Sequence, residues 1–250
     1  PGQKMTTPDL ILLLTRPAAA GTAFVSSLTP GLRGRARIVL SPLIDIIPLV
    51  QSVDTGDARG LVFSSAQGVR IFAGVNPTRV LPCYCVGTAT TKAAIEAGFS
   101  AECAGHTADD LVANLTGRGP DAPLLHLAGL HVRGEVAERL TAAGITTQRI
   151  AIYDQPERLL TEKARSALDG ELPVILTLFS PRTAQLFADQ YRGSAPLHVV
   201  ALSEAVAAPV RRLDPQGLTV VETPDAMSMA DMVENVAARL SRVEGDQGAQ

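Results

Sequence analysis

The sequence predicts an α/β fold made of two similar domains, each with a parallel sheet flanked by helices. Apolar, β-compatible runs alternate along the chain with helix-like segments, and this alternation is typical of parallel sheets. One strand–turn–helix pattern also occurs twice, as LVFSSAQGVRIF from Leu61 and as LTLFSPRTAQLF from Leu176. Because each copy stops at serine before a helix-like pattern begins, we interpret the two as one structural unit used twice.

The repeat extends beyond this pair of turns. Phe63 is as far from Val86, in the turn VGTATT, as Phe179 is from Leu202, in the turn ALSEAV. Equal spacing between equivalent turns supports a duplication. The segment LILLLTRP followed by ARIVLSPLIDI likewise resembles PLLHLAG followed by TQRIAIYDQ. We name these two stretches A and A′, and the stretches with the serine turns, which begin at Leu61 and Leu176, B and B′. Their order along the chain is A, B, A′, B′.

Two helix starts also match. TADDLVANL from Thr107 resembles SMADMVENV from Ser228, and each begins with a hydroxyl residue three positions before an aspartate, Asp110 or Asp231. This spacing is that of a capping box, in which the hydroxyl accepts from free backbone N–H groups of the first turn. Both segments are therefore predicted to open a helix.

How the segments pair into domains stays open at this point. A could pair with B, giving two sequential domains, or with B′, giving a discontinuous first domain. Residues 43–55 and 150–156 are extended and each has a proline near its exit, which is typical of linker strands. If both segments are linkers, the chain between them forms an inserted domain.

Composition favours a soluble globular protein. The 250 residues are 46% hydrophobic with a formal net charge of −3, so we expect no nucleic-acid partner and no attraction to anionic membranes. No apolar run approaches the ~20 residues of a membrane span. The residues before Leu10 lack the apolar region of a signal peptide, and the three cysteines form no CxxC pair. We therefore expect a cytoplasmic protein without disulfides.

Ligands of open α/β sheets bind beyond the carboxyl ends of the strands, where helix N-termini offer free backbone N–H groups. Serine and threonine at such positions most often only cap helices. As a set, however, the predicted turns fit a cleft that holds a large anionic ligand through backbone amides and hydroxyls. The substrate-binding candidates are Arg16, Ser64, Ser65, Gly87, Thr88, Ala89, Thr90, Gly129, Arg133, Ser180, Ser203 and Ser228.

Other chemistries find little support. The chain has neither a GxGxxG after a strand nor a GxxxxGK[ST] motif, which argues against dinucleotide and P-loop sites. His126 and His131 are not spaced like metal ligands, and we interpret His126 as a packed strand histidine. There is no Gly-x-Ser-x-Gly elbow, and 4% aromatic residues give few platforms for base stacking. We therefore expect no metal and no cofactor.

Tyr153, in RIAIYDQP, is the candidate for catalysis. A phenol has a pKa of about 10 and can assist a departing hydroxide by donating a proton. The alternative is a strand tyrosine that packs its ring and leaves its hydroxyl in water, and spacing alone favours that alternative. The position of Tyr153 at a predicted domain junction supports the catalytic role.

Taken together, FSSAQGV, VGTATTKAAIEAGF, AIYDQ, LFSPRTAQLF and ALSEAVAAPV resemble the uroporphyrinogen-III synthase family, over Leu10 to Leu240. The resemblance implies a first domain from residues 1–42 and 157–250, linker strands at 43–55 and 150–156, and an inserted second domain at 56–149. This selects the pairing of A with B′. The two domains would be joined by a two-stranded β linker, and the repeated turns would face each other across a cleft.

The resemblance also implies an activity. The family's enzymes are cofactor-free cyclising lyases of haem and tetrapyrrole biosynthesis, which convert the linear hydroxymethylbilane into uroporphyrinogen III with inversion of ring D and loss of water. The substrate bears many carboxylates, which the repeated turns would share. A cytoplasmic monomer and a transient contact with the preceding enzyme of the pathway are further expectations.

Several candidates match family positions. Ser64 and Ser65 fall on the family's hydroxyl-rich turn, and Gly87 and Thr90 fall on its glycine-x-x-threonine turn. Tyr153 falls on its strand tyrosine. Ser180 falls on the matching turn of the other domain, and Ser228 falls on a threonine at a helix start. Ser203 and Val206 replace a glycine and a threonine common in the family, so the resemblance does not extend to the side chains of that turn. Ser228 in place of threonine keeps the hydroxyl.

Two other classes of protein stay open from the residues alone. A non-catalytic two-domain binding or sensor protein would also have facing α/β domains. A glycosyl transferase would have them too, but it predicts a nucleotide-diphosphate site with basic and acidic residues at fixed places, which we do not find.

Overall fold

The computed structural model describes residues 8–131 and 134–247, with side chains described as far as residue 241. Its strands are β1 Leu10–Leu14, β2 Ala36–Leu40, β3 Ile47–Pro48, β4 Gly60–Phe63, β5 Cys83–Val86, β6 Ala101–Gly105, β7 Leu124–Gly129, β8 Thr147–Asp154, β9 Val174–Leu178, β10 Leu197–Ala201 and β11 Gly217–Val220. Its α-helices are α1 Ala18–Ser27, α2 Pro30–Arg35, α3 Ala66–Val75, α4 Thr88–Glu96, α5 Ala108–Arg118, α6 Val136–Ala142, α7 Glu162–Leu168, α8 Pro181–Gln190, α9 Glu204–Ala207 and α10 Ala226–Gln247. A 3₁₀ helix, Ala208–Leu213, follows α9.

The chain divides into two compact units. Unit 1 contains the described residues up to Asp45 and those from Glu157 onward, and unit 2 is Ile46–Pro156. Residues 46–55 and 150–156, which the sequence suggests as parts of linker strands, group with unit 2. There β3 pairs antiparallel with the end of β8, while the rest of β8 continues a parallel sheet.

The two sheets repeat one topology. Unit 1 has the strand order β11-β10-β9-β1-β2, and unit 2 has the order β3-β8-β7-β4-β5-β6. Apart from β3, every pairing is parallel. In each unit the three strands of a B segment are followed across the sheet by the two strands of an A segment. The predicted α/β class, with two similar parallel sheets flanked by helices, is confirmed.

Each sheet is buried on both faces, as its continuous apolar strands require. In unit 1, Leu13 of β1 packs in a core cluster with Phe187 of α8, whereas Leu12 packs in a second cluster with Phe24 of α1 and Val233 of α10. Unit 2 is built in the same way, with separate clusters on the two faces of its sheet. The strand ends are therefore fixed by well-packed cores.

The two predicted capping boxes have different outcomes. The box at Thr107 is confirmed, since its hydroxyl accepts from the backbone N–H of Asp110 while Asp110 accepts from that of Thr107. The prediction that Ser228 caps a helix is wrong. α10 already begins at Ala226, and the carboxylate of Asp225 accepts from the backbone N–H of Ser228 at 2.7 Å. An acceptor side chain three positions earlier takes the cap.

Within residues 8–131 and 134–247, no helix has the length and apolar character needed to cross a bilayer.

Candidate active site

Three of the predicted turns are neighbours at one edge of the unit 2 sheet. β4 runs into Ser64 and Ser65, β5 runs into Gly87, and β7 ends at Gly129. β4 lies between β7 and β5 and is parallel to both, so the carboxyl ends of the three strands lie side by side. This is the edge at which α/β sheets bind ligands.

The hydroxyl of Ser65 has two partners. Ser65 is the N-cap of α3, and its Oγ accepts a hydrogen bond from the backbone N–H of Gly68 at 3.1 Å. The same Oγ lies 2.8 Å from the hydroxyl oxygen of Tyr153, so these two groups also share a hydrogen bond. Ser65 therefore joins the start of α3 to strand β8, which goes beyond the capping role that its position alone predicts.

Tyr153 is held from two sides. Its side chain is 4% exposed, and its ring belongs to the core cluster on the α3 face of the sheet. Its ring lies so close to Gly129 that a Cβ there would come within 3.0 Å of two ring atoms. The ring of Tyr153 is packed, as the alternative in the sequence analysis expects. Its hydroxyl, however, is hydrogen-bonded to Ser65 and is not left to water alone.

Ser64 has a partner that the sequence analysis missed. Its Oγ lies 3.1 Å from Nε2 of His126, a β7 residue that is 1% exposed. Burial, and then the nearby guanidinium of Arg149, lower the pKa of His126 to about 4, so the ring is neutral at neutral pH. One signal for this contact is present in the sequence LLHLAG, because a polar residue inside a buried strand requires a hydrogen-bond partner.

The Gly87 turn offers backbone groups. Gly87 has φ +78°, a conformation that glycine adopts without strain, and its carbonyl accepts from the backbone and side chain of Thr91. Thr88 and Ala89 are exposed in the first turn of α4, whereas Thr90 is buried. The Thr90 hydroxyl thus lies in the interior, and the accessible groups of this turn belong to its first two helical residues.

In unit 1, the turns after β1 and β9 are neighbours in the same way. The guanidinium carbon of Arg16 lies 3.9 Å from the ring centroid of Phe179, a cation–π contact. Ser180 is the N-cap of α8 and accepts from the backbone N–H of Thr183 at 3.2 Å, with its Oγ 2.9 Å from the Thr183 hydroxyl. Because β1 and β9 pair in parallel, Arg16 and Ser180 lie at one edge.

The remaining candidates are less concentrated. Ser203 precedes the short helix α9 without a side-chain hydrogen bond to it, and Ser228 lies inside the first turn of α10. Arg133 lies outside the described residues. The structure therefore brings Ser65, Gly129 and Tyr153 together, while Ser64, next to Ser65, contacts His126. Among the described residues, no group of three or more His, Cys, Asp or Glu side chains could hold a metal ion.

Comparison with known proteins identifies the family. A family model described as uroporphyrinogen-III synthase HemD matches residues 32–234. The structure of uroporphyrinogen-III synthetase from Helicobacter pylori 26695 aligns with a TM-score of 0.61 at 12% identity, covering 91% of this chain and 99% of that chain. A mutant uroporphyrinogen III synthase from Thermus thermophilus aligns with a TM-score of 0.53 at 13% identity, covering 92% and 99%. No curated protein sequence matches.

The fold and these turns define a class, the two-domain α/β proteins with hydroxyl-rich turns at the carboxyl ends of their strands. At identities this low the solved structures support the shared fold alone. The family model, however, matches most of the chain. The chain belongs to the uroporphyrinogen-III synthase family, whose members are cyclising lyases of tetrapyrrole biosynthesis. This assignment favours an enzyme over the binding or sensor protein and over the glycosyl transferase.

Proposed function

We propose that this chain converts hydroxymethylbilane into uroporphyrinogen III and that the chemistry takes place beside Ser65 and Tyr153. The observation that carries the proposal is the 2.8 Å contact between the Tyr153 hydroxyl and Ser65 Oγ. A phenol whose oxygen is held by a second hydroxyl at a strand end is a positioned proton donor. The family assignment supplies the reaction for which such a donor is useful.

The cap permits Ser65 to be the donor in this hydrogen bond, and we take that direction as part of the proposal. Ser65 Oγ already accepts from the backbone N–H of Gly68, so its own proton is available to the Tyr153 oxygen. With Ser65 as donor, the phenol proton is free for the substrate hydroxyl, which leaves as water. The phenolate that remains is stabilised by the Ser65 proton.

Loss of that hydroxyl leaves an azafulvene cation on the substrate. Ring D attacks at its substituted carbon to give a spiro intermediate, which fragments and recloses with ring D inverted. Without the protein the linear substrate closes head to tail without inversion, so the main task of the enzyme is to hold ring D for the attack that is otherwise disfavoured. Proton donation by Tyr153 adds to this positioning effect.

Substrate carboxylates are proposed to bind at the turns. Helix N-termini attract anions through free backbone N–H groups and the helix dipole. In unit 2 the proposed donors are the Ser64 hydroxyl and the first-turn backbone amides of α4 at Thr88 and Ala89. In unit 1 the proposed donors are the Arg16 guanidinium and the start of α8 at Ser180. Distributing the carboxylates over several turns requires no cluster of lysines.

We also propose that the protein acts as a cytoplasmic monomer that meets the preceding enzyme of the pathway only transiently. Cys83, Cys85 and Cys103 are all free thiols, as expected in a reducing compartment. Light scattering coupled to size exclusion tests the monomer. A dimer at micromolar concentration would contradict it.

The activity test is direct. Purified protein is incubated with hydroxymethylbilane, and the product isomers are separated by chromatography, with heat-denatured protein as the control. We expect uroporphyrinogen III from the native protein and the uninverted isomer from the control. The uninverted isomer alone from both samples would overturn the proposed function.

A further inference from the structure

The two serines of the unit 2 turn have partners on opposite faces of the sheet. Val62 belongs to the core cluster that contains Leu111 of α5, and His126 is the β7 residue directly beside Val62. Tyr153 belongs to the cluster on the other face. Ser64 thus contacts His126 on one face, and Ser65 contacts Tyr153 on the other face.

His126 also has a defined neighbour on its other side. Parallel pairing of β7 and β8 sets His126 directly beside Arg149, and side chains of register partners lie on the same face. Nδ1 of His126 and Nε of Arg149 are both buried, and neither has a hydrogen-bond partner among the described residues. Arg149 Nη2 donates to the carbonyls of Gly129 and Leu130 at 2.7 and 2.6 Å, which fixes the guanidinium.

These neighbours select one tautomer of the imidazole. Arg149 is positively charged and has no acceptor, and Nδ1 is buried without a hydrogen-bond partner in the described part of the chain, so a lone pair at Nδ1 is favoured over an unpaired N–H beside that charge. Since burial and Arg149 lower the pKa of His126, the ring carries a single proton at neutral pH, which must then sit on Nε2. In the opposite tautomer, Nδ1–H would be a buried donor near the positive charge of Arg149, without a partner among the residues that the structure describes.

We propose that His126 is a positioning residue that turns the Ser64 hydroxyl toward the substrate, an inference that rests on the proposed function of this turn. Nε2–H donates to Ser64 Oγ, so the Ser64 hydroxyl does not donate its proton to His126. It points instead to a substrate carboxylate, to which Ser64 is a donor. With the other tautomer, Ser64 would donate to the ring and present lone pairs to the carboxylate.

The first test needs no turnover. Nitrogen-15 NMR of the histidine rings in the ligand-free wild-type protein reports which ring nitrogen is protonated, with the His126 signal assigned from a His126→Gln sample. We expect the Nε2–H tautomer at pH 7. The Nδ1–H tautomer would overturn the inference whether or not the enzyme is active.

The second test is a double-mutant cycle in the activity assay. His126→Phe removes both ring nitrogens, and Ser64→Ala removes the hydroxyl. Each should raise KM about 5-fold with little change in kcat, and the double variant should be no worse than either single one. His126→Gln, which keeps a donor, should recover most of the affinity.

The outcomes separate the two proposals. Additive effects, or a Ser64→Ala variant with unchanged KM, would overturn the positioning role while leaving the reaction intact. Failure of the wild-type protein to form uroporphyrinogen III would overturn the proposed function and, with it, the role of His126 toward the substrate. Circular dichroism of each variant checks its fold, and the NMR result on the wild-type protein decides the tautomer if His126→Phe does not fold.

Discussion

The two serine turns share a backbone and differ in their chemistry. Ser65 before α3 and Ser180 before α8 are both extended, and both accept from the backbone N–H of the third helical residue, at 3.1 and 3.2 Å. The second partner differs. Ser65 contacts Tyr153, from a strand far along the chain, whereas Ser180 contacts Thr183 in its own turn.

The residue before each cap differs as well. In unit 2 it is Ser64, which contacts His126, and in unit 1 it is Phe179, which packs against Arg16. Both turns therefore keep the backbone N–H that the serine caps, while the side chains around it differ. We therefore interpret the unit 2 turn as the reacting turn and the unit 1 turn as a binding turn.

The largest expected effect is on stability and concerns His126 in unit 2. Its pKa is lowered from 6.5 to about 4 by burial and then by Arg149, with a smaller opposing effect of Glu138. In the unfolded chain, His126 binds a proton below about pH 6.5, whereas in the folded protein it binds one only near pH 4. The free energy of unfolding therefore falls as the pH is lowered from about 6.5 to about 4. The loss is about 3 kcal/mol.

Urea unfolding of the wild-type protein and of His126→Phe at pH 7 and pH 4 measures this effect. The wild-type protein should lose stability relative to the variant as the pH falls. A difference between the two proteins that does not change with pH would show that His126 does not titrate in this way.

Next in size is the effect of Tyr153→Phe on the rate. Removing the phenol proton should slow single turnover about 10²-fold, the low end for general acid catalysis. Ring inversion should persist, because it depends on how the substrate is held. Tyr191→Phe in unit 1 is the matched control. A Tyr153→Phe enzyme as fast as wild type would remove the phenol from the mechanism, and a slow one yielding the uninverted isomer would indicate a positioning role.

A smaller effect separates the two caps themselves. Ser65→Ala removes a helix cap and the partner of Tyr153, so we expect single turnover to slow about 10-fold. Ser180→Ala removes only a cap and a local contact, and should weaken substrate binding by about 0.5–1.5 kcal/mol without slowing the chemical step. Single-turnover rates and KM for both variants test this. Equal losses of rate would contradict the division between reacting and binding turns.

The smallest effect is expected at the start of α10. Because Asp225 accepts from the backbone of Ser228, Asp225→Ala should lower the melting temperature more than Ser228→Ala does. Thermal unfolding followed by circular dichroism compares the two variants. A larger loss with Ser228→Ala would restore the serine as the cap.

Local patterns carried much of the fold. The run LILLL, short and continuously apolar, forms the buried strand β1, and the Thr107 capping box lies within one helix turn. The alignment of the two serine turns was less accurate. Matching Phe63 with Phe179 pairs Ser64 with Ser180, but β4 ends at Phe63 and β9 at Leu178, so the equivalent caps are Ser65 and Ser180. Where a strand ends depends on sheet packing, which residue identity does not encode.

The candidate site was predictable only in part. Its hydroxyl residues and Tyr153 were found because they follow or lie in recognisable strands. The contacts of Ser64 with His126 and of Ser65 with Tyr153 join segments far apart in sequence. They depend on which strands become neighbours and in what register, and this is determined by the packing of the whole unit.

The central position of β1 in its sheet has a consequence for synthesis on the ribosome. β1 lies between β2 and β9, and Ile11 pairs with Val174, so the unit 1 sheet cannot be completed until β9 has been made. All strands of unit 2 are translated in the meantime and can assemble first. During that interval β1 can pair with β2 but not with β9, so one edge of the apolar LILLL strand stays exposed on the nascent chain, and we expect chaperones to bind there.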